Sequence, residues 1–283
     1  MPDCSHPDTD RHPATASWHA SLRLRFAIDA GTTRLVERAH SGPLRVQKPL
    51  YPEGPGICHA IVIHPPGGVV GGDCLSVEAQ AGAGSHAFVT TPGAAKWYRA
   101  NGKVSRQDVR IAAGAQAIVE WLPQETILFD DVNVVFDHAV ELEAGARYIG
   151  GEILCFGRRA SGESFQTGVI RQRTRIRSGG KLVWWEQGTI DGAGSTMHSR
   201  FGLDGASVCA TLIGVGAPLP ATLMAAMRAL DPALGLSQVK SVFVARILCD
   251  DSETARHTLA RVWQALRPHL LGCEAPLPRI WQT

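Results

Sequence analysis

Val109–Pro123, VRIAAGAQAIVEWLP, has three counterparts along the chain: Ser76–Thr91 (SVEAQAGAGSHAFVTT), Val140–Leu154 (VELEAGARYIGGEIL) and Thr174–Gly188 (TRIRSGGKLVWWEQG). Each joins two strand-like runs through a turn of glycine and other small residues. Aligned on Gly84, Gly114, Gly145 and Gly179, the units lie 30, 31 and 34 residues apart. A period this constant predicts stacked β units. Glu120 then falls six residues past its glycine, and Glu152 and Glu186 fall seven past theirs, so stacking is expected to bring the three carboxylates to a similar place.

Like charges brought together are costly unless a cation or a shared proton sits among them. Adjacent equivalent strands would space the carboxylates about 5 Å apart and hairpin units about 10 Å apart, the latter suiting a path of sites better than one chelate. Two readings stay open: a cation path, or three strand ends in solvent.

Working outward, Leu22 to about Leu212 carries short alternating runs broken by Gly, Pro and Asn, with no amphipathic helix. This favours a β solenoid, sandwich or barrel. The expectation is a mainly β fold of stacked, β-helix-like strands, with its β body over about 21–215 and a small α-helical addition. One helix is placed at about 218–231, after Pro218 and Pro220, and a second at about 251–270. In the second, Asp250-x-x-Glu253 has the form of a capping box, and Leu259, Val262, Trp263, Leu266 and Leu270 make one apolar stripe. Ser241–Leu248 between them reads as a strand. Residues 1–17 are polar and Pro-rich, which predicts a disordered tail before a single domain over 18–283.

A 45% hydrophobic and 19% charged composition is that of a globular chain, and a net charge of +2 selects neither nucleic acid nor membrane as partner. Seven scattered cysteines without a C-x-x-C pair fit a reduced, cytoplasmic protein. No run reaches the roughly 18 apolar residues of a membrane helix.

His64–Asp73, HPPGGVVGGD, holds four glycines in six residues. Gly67 and Gly72 match G-x-x-x-x-G, but Asp73 stands where a phosphate loop needs lysine. Gly82–Ala87 fits the dinucleotide fingerprint formally, yet a strand-like run follows where a helix is required. Cys58 and His64 share a strand face roughly 20 Å apart, too far for one ion without a sharp bend. His59 and His86 read as hydrogen-bonded structural residues, and His64, beside the glycine loop, is the weaker metal candidate. Arg171, Arg173, Arg175 and Arg177 alternate on one strand face, a footprint for nucleic acid or an acidic partner, with nucleic acid the weaker use because no basic excess or RNA module accompanies it, and a solvated strand face the commoner case. Ser195 and His198 lack a nucleophile elbow, so nothing orients a hydrolase.

HPPGGVVGGD, TTPGAAKWYR (Thr90–Arg99), EWLPQETILFD (Glu120–Asp130), GRRASGE (Gly157–Glu163) and the terminal PRIWQT, in this order, resemble the urease accessory protein D family, also called UreD or UreH. The resemblance runs from about Ser21 to Thr283. It implies a non-enzymatic scaffold and metallochaperone that joins accessory proteins F and G on apo-urease, protein G being the GTPase. Ni2+ would be carried in transit to the urease active site, with no permanently bound cofactor. Asp73, Glu152 and Glu186 resemble the family's acidic tunnel positions, with Glu120 at the head of the WLPQET string. Lys96, Trp97, Tyr98 and Arg99 are the expected interface. A purely structural adaptor is the alternative. Pro92–Ala95 departs from the bulkier or amide residues common in the family at that place.

Overall fold

A computed structural model describes residues 17–282. Apart from Ser17, the expected N-terminal tail lies outside them. The chain begins with β1 (His19–Asp29), β2 (Thr32–Ser41), β3 (Arg45–Val46), β4 (Ile57–Ile63), β5 (Cys74–Ala81), β6 (His86–Thr90) and β7 (Ala95–Trp97). It continues with β8 (Ser105–Ala113), β9 (Ile118–Leu122), β10 (Thr126–Leu128), β11 (Val132–Leu142), β12 (Arg147–Phe156), β13 (Gly168–Ser178) and β14 (Lys181–Asp191). The single-turn α1 (Ser195–His198), β15 (Val208–Val215), α2 (Ala221–Arg228), β16 (Leu234–Val239), β17 (Val242–Cys249) and α3 (Ser252–Leu271) complete it.

The fold is mainly β, and it stacks as a solenoid. One sheet has the order β14-β13-β11-β8-β5-β1-β2, and the other runs β16-β17-β15-β12-β9-β6-β4-β3 with β10 and β7 attached beside it. Successive units each place one strand in each sheet, so β1-β5-β8-β11-β13 and β4-β6-β9-β12 are parallel ladders. The turns themselves are laddered: Gly84 N–H donates to Ala115 O and Gln116 N–H to Ala144 O. Side chains alternate along each strand. Leu22, Leu24, Val77, Val109, Val134 and Val140 of one sheet therefore meet Ala60, Val89, Val119 and Leu154 of the other in a continuous core.

The outer face of the ten-stranded sheet is covered by α2 and α3, forming a second core. The stripe Leu259, Val262, Trp263, Leu266 and Leu270 is buried there. The start of α3 is one residue later than expected: Asp251 caps it by accepting from Thr254 N–H, while Asp250 accepts from Ser207 instead. Gly272, in the left-handed conformation, closes it.

Two features of the repeat differ from the sequence reading. Gly82 and Gly114 are the equivalent residues, each accepting the hydrogen bond that closes its turn, and the left-handed position is filled by Gly84, Gln116 and Gly145. The second unit is thus two residues out of the expected register. The fourth unit does not cross between sheets. Gly179 and Gly180 both have positive φ, so their two-residue turn folds β14 back beside β13 as a hairpin in the same sheet.

Candidate functional site

A cavity of about 470 Å³ lies between the sheets. Val77, Val109, His138 and Gln172 from one sheet, and Val62, Trp121 and Glu152 from the other, form its walls, and the His64–Gly68 and Thr91–Lys96 segments border it. These two segments are fastened together: Val69 N–H donates to Lys96 O, Tyr98 N–H to Val69 O, and Tyr98 OH to Gly67 O. The approach explains two of the glycines. A Cβ at Gly71 would lie 1.9 Å from the Ala100 carbonyl oxygen, and one at Gly68 would lie 2.5 Å from the Tyr98 ring.

Glu152 is the one expected acid that lines the cavity. Gln172 Nε2 donates to both of its oxygens at 3.1 and 3.2 Å, spanning the two sheets. Burial raises the carboxyl pKa and the neighbouring Glu186 adds to this, against the opposing effects of Gln172 and Arg246. Two imidazoles face the same space. His138, facing Tyr148 OH at 3.1 Å, is held neutral by burial, with its pKa lowered to about 4. Burial also lowers the pKa of His64 against the pull of Asp73, and its Nε2 is buried with no hydrogen-bond partner among the described residues. A neutral imidazole is the metal-binding form of histidine. Among the described residues, no three of His, Cys, Asp and Glu converge as a preformed chelate.

The other expected residues are placed differently. Glu186, half-exposed on β14, accepts from Arg246 Nη2 at 2.6 Å, and Arg246 Nε donates to Thr211. Asp73 is buried but not on the cavity wall. It accepts from Trp18 N–H at 2.8 Å and Val70 N–H at 3.1 Å, closing the glycine loop.

Glu120 does not stack with Glu152. It pairs with Phe88 and Ile149 across the sheet, so Glu152, three residues beyond Ile149, points to the opposite face. Glu120 is instead sealed under α3, where it bonds His86 Nε2 at 2.8 Å, Trp263 Nε1 at 2.7 Å and Arg267 Nε at 3.1 Å. Burial alone would raise its pKa, but the His86 hydrogen bond and the charge of Arg267 outweigh it and lower the value. Arg267 also binds Glu53, which meets His59 at 2.8 Å. His59 and His86 are hydrogen-bonded structural residues, as their positions suggested.

Within the expected interface string, Lys96 and Arg99 are exposed and Tyr98 is half-buried. Trp97 corrects that expectation: it is 1% exposed and packs edge-to-face on Phe136 at 5.0 Å between ring centroids. Its strand parity turns it inward. Gln172, His138 and Arg267 escaped the sequence reading. Arg267 had a visible signal, since a cation beside the apolar stripe of α3 requires a buried acid.

A family model described as UreD urease accessory protein matches residues 19–282. The chain belongs to the UreD family. Relatives named urease accessory protein UreD include that of Janthinobacterium sp. (strain Marseille), 55% identical over 270 residues covering 93% of this chain and 91% of the relative. That of Nitrosospira multiformis is 50% identical over 271 residues, covering 93% and 97%. This UreD-family chain has no helix, among its described residues, long and apolar enough to cross a membrane.

Proposed function

We propose that this chain is a non-enzymatic urease accessory protein that helps insert nickel into apo-urease, acting in the cytoplasm with accessory proteins F and G. Ni2+ is its cargo and passes through the cavity between the sheets. The observation that carries this reading is the placement of Glu152 on the cavity wall, tied to Gln172 and facing a space that neutral His138 and His64 also line.

The chemistry suits transit. Binding a dication at Glu152 requires the carboxyl to release a proton that burial favours keeping, so the site holds the metal weakly. Single oxygen and nitrogen donors spread along a cavity retain nickel less firmly than a closed set of thiolates or imidazoles, which permits handover. Glu186 and Arg246, an exchangeable ion pair, stand near Glu152.

The test is co-expression of urease and its accessory proteins with Glu152→Ala plus Glu186→Ala in this chain. Nickel per urease active site is expected to fall while the variant still copurifies with proteins F and G. Normal nickel loading in that variant would overturn the metal path and favour the purely structural adaptor.

A further inference from the structure

The outer face of the seven-stranded sheet, turned away from the cavity, carries an excess of cations. On its three neighbouring strands β8, β11 and β13, Arg106, Arg110, Arg171, Arg173, Arg175 and Arg177 face outward, against Asp108, Asp137 and Glu141. Asp137 is 2% exposed and lies beneath four guanidinium groups, those of Arg106, Arg110, Arg173 and Arg175. Among the described residues, Asp108 alone offers Arg106 and Arg110 a second carboxylate. Arg175 Nε is buried without an acceptor among the described residues.

Beside this cluster a groove of about 390 Å³ runs over the sheet surface. Its floor includes Ala112 and Ala139, small enough for another chain to lie close to the backbone. Arg110, Arg175 and Arg177 stand along it, and Leu182 and Trp185 of the edge strand, 48% and 50% exposed, form an apolar rim. In register, Trp185 lies opposite Arg175, and Leu182 opposite Arg177.

We propose that this groove docks an extended acidic segment of a protein partner. Its carboxylates pair with Arg110 and Arg175, which share Asp137 and Asp108 with other arginines, and with Arg177, which otherwise has Glu141 at 3.8 Å and the Gly180 carbonyl, and an apolar side chain of the segment packs on Trp185 and Leu182. Arginine pairs with carboxylate through two parallel hydrogen bonds, and exposed Trp beside Arg is the composition of a protein-binding centre. Glu78 and Glu141 also border the groove and repel a continuous phosphate backbone, while separate carboxylates on a peptide can avoid them. The site is independent of any metal path.

The experiment is fluorescence anisotropy of the purified full chain with a labelled peptide of repeated Glu-Glu-Leu triplets, and with a labelled thymidine oligonucleotide of equal length. Saturable peptide binding is expected, weakened about tenfold by Arg177→Ala with Trp185→Ala, a loss of the order expected for a charge-assisted contact and its apolar neighbour. Both side chains are about half-exposed, so this variant keeps the fold. Val36→Ala with Arg38→Ala removes the same kinds of group from exposed β2 at the far edge and is expected to leave affinity unchanged. Absence of peptide binding, tighter binding of the oligonucleotide, or an equal loss in the β2 variant would overturn the proposal.

Discussion

Glu120 and Glu152 occupy adjacent parallel strands of one sheet, the first fully buried and the second half-buried on the cavity wall, and their environments drive them in opposite directions. Glu120 faces α3, where Arg267, Trp263 and His86 supply donors on all sides and hold it ionised. Glu152 faces the cavity, where the amide of Gln172 is its one hydrogen-bond partner among the described residues and its pKa is raised. The difference is one of strand parity: odd and even positions of a strand serve opposite faces of the sheet. A carboxylate with a dedicated cation stabilises the packing of a helix, while one that lacks such a cation carries its desolvation cost as a raised pKa.

The largest effect that could break this contrast is the removal of Glu120. Glu120→Ala leaves Arg267 with the Glu53 carboxylate and the Glu274 carbonyl and is expected to cost about 3–5 kcal/mol in denaturant unfolding, as breaking a buried ion pair does. A cost close to zero would mean that the cluster is dispensable. Next, a double-mutant cycle of Glu120→Ala with Arg267→Met is expected to show coupling of about 1–3 kcal/mol, because the double variant leaves no uncompensated charge between these two positions.

Glu152→Gln sharpens the contrast from the other side. It keeps the shape of a group that is already biased toward its neutral form, and it is expected to change stability by less than about 1 kcal/mol near neutral pH. A loss matching that of Glu120→Ala would remove the distinction. The smallest effect is in pH dependence. Glu152 has a raised folded pKa, so the native state binds more protons than the unfolded state, and stability falls as pH rises from the ordinary value of 4.5 through the folded one. Glu152→Gln should therefore gain relative to wild type across that rise. Glu120 and Glu53 behave in the opposite sense. Their stabilisation is present above 4.5 and is lost as pH falls through the folded values, which for Glu53 is about 2. Parallel pH profiles for Glu152→Gln and wild type would contradict the environment assigned to Glu152.

Much of the architecture was legible because it is local. Alternating runs marked the strands, and the 3.6-residue stripe from Leu259 to Leu270 marked α3. The turn register was misread because Gly114 attracts an alignment on glycine, although Gln116 holds the left-handed position at φ 57°. The fourth unit carried its own signal in the Gly179–Gly180 pair, the preferred turn of a two-residue hairpin. Of the expected metal candidates, Glu152 and His64 line the cavity and Glu186 stands near it, while Asp73 and Glu120 are committed to loop closure and helix docking.

The sequence by itself determined the β character, the repeat, the two principal helices and the family, since strand and helix periodicity and contiguous motifs are properties of neighbouring residues. Only the tertiary structure decided which carboxylate meets which partner. Arg267 reaches Glu120 across 147 positions of chain, and Gln172 reaches Glu152 from the opposite sheet. Whether a buried acid is paired or left open to a cavity follows from the face on which it lies and from what packs there, and a change of one residue in strand parity reverses that outcome.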